Sequence, residues 1–173
     1  MSKDILYTAD EIAQKLQITK GTVYEMIKRG DLDAYHIGRH IRVSAEQFEI
    51  FLIKSKGTEN VYEAQIVKNE DETLAEIGSV KINVDTDFEG SVKIAIRPED
   101  IILSKGTFLS SARNVHKGVI TDITEDEGRA KVVVDIGIPI VALITKKSLD
   151  EMELENGVEL YAIFKTMAAK VYR

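Results

Sequence analysis

The stretch Ser111-Ala112-Arg113-Asn114 lies just before a run, Gly118 to Ile123, that is typical of a β-strand. Similar short runs of β-branched residues, separated by Gly, Asp and Asn, occur from about Glu63 to the C-terminus. Many short strands at this spacing predict a small barrel or sandwich. The predicted strands are 63–67, 80–84, 92–96, 118–123, 130–134, 140–144 and 160–164, interrupted by one short helix at about 147–152.

The first 56 residues follow a different, mainly helical pattern. Thr8 and Glu11 predict a capping box at the start of a first helix, and Gly30 predicts the end of a second helix that begins near Lys20. A short hairpin around Gly38-Arg39 and a third helix capped by Ser44 are expected to follow. The residues expected to face the core are Ile12, Ala13 and Leu16 in the first helix, Val23, Ile27 and Tyr24 in the second, and Phe48, Phe51 and Leu52 in the third.

These two patterns predict an α+β multidomain chain. Residues 1–57 are expected to form a winged helix-turn-helix, because helix, turn, helix, wing and helix occur in that order. A polar, glycine-bearing segment at 57–60 marks the boundary, and residues 61–173 form the predicted barrel region. A weak echo, with strands ending near Ile82 and again near Val132, suggests two barrel-like units, 61–108 and 109–173.

Composition limits the classes of protein that the chain can represent. The 173 residues include no cysteine, which excludes disulfides and thiolate metal sites, and no apolar run approaches the roughly 20 residues of a membrane span. The N-terminus shows no export signal, so a cytoplasmic location without membrane contact is expected. The net charge of −6 is uneven: residues 1–56 carry nine positive and eight negative side chains, and the remainder carries 14 and 21. A DNA-binding role therefore belongs to the N-terminal part.

The second helix and the wing carry the candidate DNA-binding residues. Short polar side chains at the start of a helix can reach base edges, and cations on a wing can reach phosphates or the minor groove. The candidates are Thr19, Lys20, Thr22, Tyr24 and Lys28 on and before the helix, and Arg39, His40 and Arg42 on the wing. The alternative is that these cations form only a solvated face of a small helical domain.

The segments 7–13, 18–24 and 30–32, continued by 34–43 and 44–51, resemble the excisionase-like helix-turn-helix family. The resemblance covers nearly all of the N-terminal module and implies double-stranded DNA as a partner. The chain departs from the family pattern near the turn and the second helix. There it has Thr19, Lys20 and Lys28, where the family often has a proline and an arginine, so a base preference different from that of the family is expected.

Three separate segments of the C-terminal region supply the donors that a tetrahedral dianion needs, which are hydroxyls, free backbone N–H groups and fixed positive charges. The candidate oxyanion-binding residues are Ser111, Arg113, Thr145, Ser148, Lys165 and Thr166. Lys165 is expected to lie within an apolar strand, where an unpaired ammonium would be costly. Ser148 has a second interpretation as the cap of the short helix, and Arg97 to Asp100 is expected to be a structural turn with an ion pair.

These segments, in this order, look like the molybdate-binding TOBE or molbindin domain over about 110–172. The resemblance implies an OB-like barrel whose oxyanion sites lie between subunits or between repeated barrels. It assigns Ser111 and Arg113 to the serine-x-arginine element, Thr145 and Ser148 to the threonine loop, and Lys165 to the lysine near the C-terminus, with Thr166 a looser match. Residues 92–101 further resemble the segment that leads into this domain in the ATPase subunits of molybdate and tungstate transporters. Molybdate or tungstate is then the expected effector, bound as an oxyanion and not as a metal ion.

Catalysis is not expected. The chain has no G-x-x-x-x-G-K-[ST] phosphate-binding loop, and His36, His40 and His116 have no evident catalytic partners. Asp126 and Glu127 stand beside Gly128 in what reads as an exposed turn.

The leading hypothesis is a molybdate- or tungstate-responsive transcriptional regulator that binds its operator as a homodimer or higher homo-oligomer. Two alternatives stay open from the sequence. One is a protein that stores or buffers the oxyanion, and the other is an excisionase-like architectural DNA binder whose ligand-free barrel serves only for oligomerisation.

Overall fold

The computed structural model describes residues 5–56 and 59–173, with the side chain of Lys56 left out. The chain divides into two compact units at Gly57 and Thr58. The N-terminal unit contains β1 (Leu6–Tyr7), α1 (Ala9–Leu16), α2 (Lys20–Arg29), β2 (Tyr35–Ile37), β3 (His40–Ser44) and α3 (Ala45–Lys56). Its three strands form one small antiparallel sheet in the order β1-β3-β2.

The predicted caps of the N-terminal unit are present. Thr8 and Glu11 form a capping box before α1, and the backbone N–H of Gln47 donates to the Ser44 hydroxyl at the start of α3. Gly30 ends α2 with a positive φ of 81°, which suits glycine because it has no Cβ. The prediction that Tyr24 faces inward is wrong. Its side chain is 42% exposed, and Met26 is buried instead because it lies three residues after Val23 on the same helix face.

In its described residues, 59–173, the C-terminal unit contains ten strands, one α-helix and two short 3-10 helices. Its strands are β4 (Val61–Lys68), β5 (Thr73–Ile77), β6 (Val80–Asn83), β7 (Gly90–Ile96), β8 (Ile102–Ser104), β9 (Asn114–Asp126), β10 (Arg129–Asp135), β11 (Pro139–Thr145), β12 (Glu159–Phe164) and β13 (Ala169–Tyr172). The helix α4 (Lys146–Glu151) lies between β11 and β12. The strands form two antiparallel sheets, ordered β13-β7-β4-β5-β6 and β8-β12-β9-β10-β11.

The two sheets repeat one pattern. In each, the first long strand (β4 or β9) pairs with the strand that follows it and with the fourth strand of its own series (β7 or β12). A three-residue 3-10 helix follows that fourth strand in both cases, Pro98–Asp100 and Thr166–Ala168. The next strand then crosses over, so that β8 completes the second sheet and β13 completes the first. We refer to residues 60–104 and 114–172 as the first and second repeats. In this equivalence β6 corresponds to β11, and not to β10 as the sequence echo suggested.

Two buried asparagines join the repeats. Asn60 is fully buried, its side-chain amide donates to the Val141 carbonyl at 2.8 Å, and its oxygen accepts the Val141 N–H at 2.7 Å. Asn114 is 1% exposed and makes the same two bonds, at 3.0 and 2.8 Å, with the backbone of Asn83. Each asparagine thus continues the hydrogen bonding of a strand in the other repeat, and one continuous apolar core fills the space between the sheets.

Candidate functional site

Four of the six predicted oxyanion-binding residues lie at one end of two neighbouring strands. Arg113 directly precedes β9 and Lys165 directly follows β12, and the pairing of Asn114 with Phe164 brings the two positions side by side. Ser111 and Thr166 belong to the same two chain segments. Among the residues that the structure describes, the Arg113 and Lys165 side chains have no ion-pair or hydrogen-bond partner, and both residues are exposed. Two uncompensated cations beside two hydroxyls suit an anion.

The argument from burial at Lys165 is wrong. This residue lies just outside β12, at the start of the 3-10 helix, where the chain leaves the sheet and the side chain reaches solvent. Its charge therefore has no desolvation cost that a ligand would need to offset. What remains in favour of Lys165 is its position beside Arg113.

The other two predicted residues, Thr145 and Ser148, form a second group. The Thr145 hydroxyl accepts the Ser148 backbone N–H at 3.1 Å and lies 3.0 Å from the Ser148 hydroxyl, so Thr145, and not Ser148, caps α4. Thr145 pairs with Arg129, which pairs with Asp126 at the far end of β9 from Arg113. Within the described parts of the chain, no hydrogen bond joins this group to the other four residues.

A cleft of about 580 Å³ adjoins Thr145 and Ser148. Its charged lining residues are Glu99 and Arg129, and the rest of its wall is mainly apolar. The nearby segment from Arg97 to Asp100 forms the predicted turn and ion pair, with the Arg97 Nε 3.1 Å from the Asp100 carboxylate.

Two residues at the start of β9, Asn114 and His116, fix the position of the strand where the preceding loop ends. The His116 ring stacks on Phe164 with 5.7 Å between centroids, and its Nε2 lies 3.4 Å from the Asn114 side-chain oxygen. Burial lowers the pKa of His116 below its usual value. Sequence reasoning had included Asn114 only as part of a motif. The signal that it missed is the pair of Asn-Val steps at Asn60 and Asn114, which begin the two repeats.

In the N-terminal unit, hydrogen bonds fix the polar residues at the start of α2. The Thr19 hydroxyl accepts the Thr22 backbone N–H at 3.2 Å and lies 2.9 Å from the Thr22 hydroxyl. Lys20 forms an ion pair with Asp10 of α1 at 3.2 Å, and this hydrogen bond raises the pKa of Lys20. The Lys20 ammonium also lies 5.9 Å from the centre of the exposed Tyr24 ring. Lys28 is exposed near the end of the helix.

The wing is a tight hairpin in which Ile37 pairs with His40 across Gly38 and Arg39. Gly38 has a φ of 62°, a conformation that favours glycine at such a turn. Arg39 and His40 are exposed at its tip, whereas the Arg42 guanidinium donates to the Ile41 carbonyl at 2.8 Å. Arg39 and His40 are therefore the wing residues that stand free for a partner.

Comparison with known proteins identifies both parts of the chain. Residues 6–55 match the family of the helix-turn-helix domain, and residues 110–171 match the family of the TOBE domain. The chain is 39% identical over 117 residues to the molybdate/tungstate import ATP-binding protein WtpC of Pyrococcus abyssi, which covers 67% of this chain and 33% of that protein. The WtpC of Pyrococcus horikoshii is 34% identical over 100 residues, which cover 57% and 29%. The chain thus spans about a third of the length of these curated relatives.

A solved structure shares the fold of about two thirds of the chain. The cytoplasmic molybdate-binding protein ModG, with molybdate bound, aligns with a TM-score of 0.56 at 18% identity, covering 66% of this chain and 96% of that one. The predicted fold class, a helix-turn-helix followed by OB-like β units, is confirmed, and so are the resemblances to the TOBE domain and to the transporter ATPase subunits. In the described residues, no helix has the length and apolar character needed to cross a membrane.

Proposed function

Because the chain joins a helix-turn-helix domain to a TOBE domain, we propose that it is a DNA-binding transcriptional regulator that responds to molybdate or tungstate. The observation that carries the proposal is the pair of exposed cations, Arg113 and Lys165, which have no partner among the described residues and which share their two chain segments with Ser111 and Thr166. The names of the relatives, two molybdate/tungstate import proteins and a molybdate-binding protein, support the choice of ligand.

The chemistry of the group fits a tetrahedral dianion. A guanidinium can donate two parallel hydrogen bonds to two oxygens, an ammonium adds a second full charge, and the hydroxyls donate from the sides. Molybdate and tungstate carry their charge over four oxygens and need donors from several directions. Thr145 and Ser148 lie near the opposite end of β9 from Arg113. They remain candidates for binding the same anion if a second copy of the chain supplies them.

The DNA-binding part uses α2 and the wing. In this proposal α2 enters the major groove with Thr19, Lys20, Thr22, Tyr24 and Lys28, while Arg39, His40 and Arg42 on the wing contact the backbone or the minor groove. Each chain has one recognition helix, α2, and operators commonly contain two half-sites about 34 Å apart. We therefore expect a homodimer or a higher symmetric assembly, acting in the cytoplasm where both DNA and imported oxyanion are present.

The oxyanion acts as an effector if it binds two arrangements of the assembly with different affinity. It can shift the balance between them only by that difference, and a difference of 1–3 kcal/mol changes DNA affinity by about 5- to 150-fold. The test is fluorescence anisotropy with labelled DNA from upstream of molybdate-transporter genes, with and without sodium molybdate. We expect DNA affinity to change with molybdate and not with equal ionic strength of sodium chloride.

Two variants separate the two parts of the proposal. Arg113→Ala is expected to keep DNA binding and lose its response to molybdate, because only the anion site is altered. Arg39→Ala is expected to bind molybdate normally and to bind DNA more weakly at every molybdate concentration. DNA affinity of the unaltered chain that stays the same with and without oxyanion would contradict a regulatory role.

A further inference from the structure

Lys20 differs from the other cations of α2 and the wing that are proposed to contact DNA, because it has a carboxylate partner. Its ammonium lies 3.2 Å from the carboxylate of Asp10 in α1. Within the described residues, no acidic side chain pairs with Lys28 or Arg39, and the Arg42 guanidinium donates to a backbone carbonyl. Asp10 therefore acts on one particular cation of the proposed DNA-binding surface.

The position of Lys20 at the start of α2 makes this carboxylate significant. Lys20 is the first residue of the helix, directly after the Thr19 cap, and the first turn contains no acidic residue. The backbone N–H groups at a helix start carry partial positive charge, which disfavours a cation there and favours an anion. Asp10 supplies a negative charge to this lysine from the neighbouring helix. A DNA phosphate bound at the start of α2 would supply the same charge, so Asp10 and a phosphate compete for Lys20.

The ion pair is open to such an exchange. The side chains of Lys20 and Asp10 are 49% and 67% exposed. Exposed ion pairs add little to stability, because water screens the two charges and both flexible side chains must be ordered. The Lys20 ammonium also lies 5.9 Å from the centre of the Tyr24 ring, a second favourable contact on the same helix. Lys20 can therefore leave Asp10 while α1 and α2 keep their fold.

We infer that Asp10 is a positioning residue that withholds Lys20 from the phosphates of duplex DNA and so weakens binding to DNA of any sequence. The inference rests on the proposed function, in that the helix-turn-helix must bind duplex DNA, and it does not depend on the oxyanion. A phosphate that takes Lys20 must displace the carboxylate and then lies near its negative charge.

The consequence concerns specificity. Contacts between cations and phosphates are the same at every sequence, whereas contacts with base edges depend on the sequence. Residues 1–56 carry nine positive and eight negative side chains, so one withheld cation is a large part of the attraction that this unit has for DNA. With Lys20 bound to Asp10, a larger share of the affinity comes from contacts with bases.

A second ion pair on α2 provides a matched control. The Asp31 carboxylate lies 3.2 Å from the Arg29 Nε at the other end of the helix, and both side chains are exposed. Asp10→Asn and Asp31→Asn remove the same charge from the same unit, and each releases one cation of α2. A general effect of net charge is therefore equal in the two variants, and a difference between them reports the position of Lys20.

The test is fluorescence anisotropy of the full chain, free of oxyanion, with a labelled duplex of random sequence at several sodium chloride concentrations. Asp10→Asn is expected to bind this duplex about threefold more tightly at low salt, the size of effect that an exposed ion pair can have. The slope of log affinity against log salt is expected to steepen by about 0.9, the value of one further phosphate contact. Asp31→Asn is expected to change both quantities much less.

A double-mutant cycle shows whether Asp10 acts through Lys20. In a chain that already carries Lys20→Ala, Asp10→Asn is expected to change DNA affinity much less than in the unaltered chain, because the lysine that it releases is missing. A gain in affinity cannot result from misfolding. Circular dichroism spectra check that α1 is intact in each variant, because Asp10 also lies in the first turn of that helix.

The outcomes separate the inference from the proposed function. If neither the unaltered chain nor Asp10→Asn binds duplex DNA at low salt, the DNA-binding part of the proposed function fails and the inference falls with it. If the chain binds DNA but Asp10→Asn gains nothing, gains no more than Asp31→Asn, or gains equally in the Lys20→Ala chain, only the role of Asp10 is overturned. Tighter binding that is specific to Asp10→Asn and requires Lys20 supports the role, also where the unaltered chain binds too weakly to measure.

Discussion

The first and second repeats of the C-terminal unit share a strand plan and differ in the residues at equivalent positions. Both begin with a buried asparagine that bonds to the other repeat, and both end with a 3-10 helix and a strand that crosses to the other sheet. At matched places the first repeat has Tyr62, Ala64 and Arg97, and the second has His116, Gly118 and Lys165, while the residues that directly precede the two repeats are Glu59 and Arg113. The strand pairing and the two asparagines therefore account for the shared backbone plan, whereas the residues proposed to bind the anion lie in loops that this plan does not constrain.

The largest effect is expected where the repeats are alike. Replacing Asn60 or Asn114 by alanine removes the partner of one N–H and one carbonyl at a part-buried position of the opposite strand, which is expected to destabilise the unit by about 3 kcal/mol. The two changes are expected to have about the same effect, because each asparagine makes the same two bonds to the opposite backbone. Urea unfolding followed by circular dichroism measures both, with the exposed Asn156→Ala as a control. Equal stability of all three variants would contradict the role given to the asparagines.

A smaller difference is expected where the repeats diverge inside the sheet. Gly118 is buried against β10, and a Cβ there would collide with the Asp135 carbonyl and lie 2.7 Å from a Val134 methyl carbon. Gly118→Ala, which installs the residue found at Ala64, is expected to destabilise the unit by about 2 kcal/mol by overpacking. The reverse change, Ala64→Gly, removes one methyl group and adds backbone freedom, at about 1 kcal/mol. The same urea titration checks both, and a neutral Gly118→Ala would show that the approach of β9 to β10 is not tight.

The sequence predicted the elements well wherever local chemistry determines them. The capping box at Thr8, the glycine at Gly30 and the hairpin at Gly38 each depend on a few adjacent residues, and the structure has all three. The predictions missed β5, β8 and β13. β5 and β13 are only five and four residues long and each contains a charged residue, and β8 has only three residues. Their membership in the sheets depends on pairing with distant strands, and a periodicity within one short run contains no information on that pairing.

The same distinction applies to the candidate site. Residue types that suit an oxyanion were visible in the sequence, but their grouping was not. The separation of Arg113 from Thr145 depends on β9 pairing with β10 at one end and with β12 at the other. The assignment of individual oxyanion- and DNA-binding residues stays a prediction.

Tyr62 in the first repeat is expected to make the stability of the fold depend on pH in the alkaline range. Its hydroxyl donates to the Pro139 carbonyl at 2.6 Å, and burial raises its pKa from 10.0 to about 12. The fold therefore favours the neutral phenol, so this contribution to stability is complete below pH 10 and is lost as pH rises from 10 towards about 12. Tyr62→Phe is expected to lower stability by about 1 kcal/mol at neutral pH and to remove this part of the alkaline loss. Urea midpoints at several pH values for both chains test it, and a parallel decline in the two would contradict it.

The smallest effect is expected at the matched position in the second repeat, where burial lowers the pKa of His116 from 6.5. The fold favours the neutral ring, so the contribution is complete above pH 6.5 and is lost as pH falls below that value, the opposite direction from Tyr62. His116→Tyr, which installs the first repeat's residue, removes this dependence. The quantity to measure is the difference in urea midpoint between the unaltered chain and the variant at pH 7.5 and at pH 5.5, because contributions common to both chains cancel in that difference. A difference that does not change with pH would mean that the ring is hydrated in the folded state, and that the loop carrying Arg113 is packed less tightly than its counterpart before Asn60.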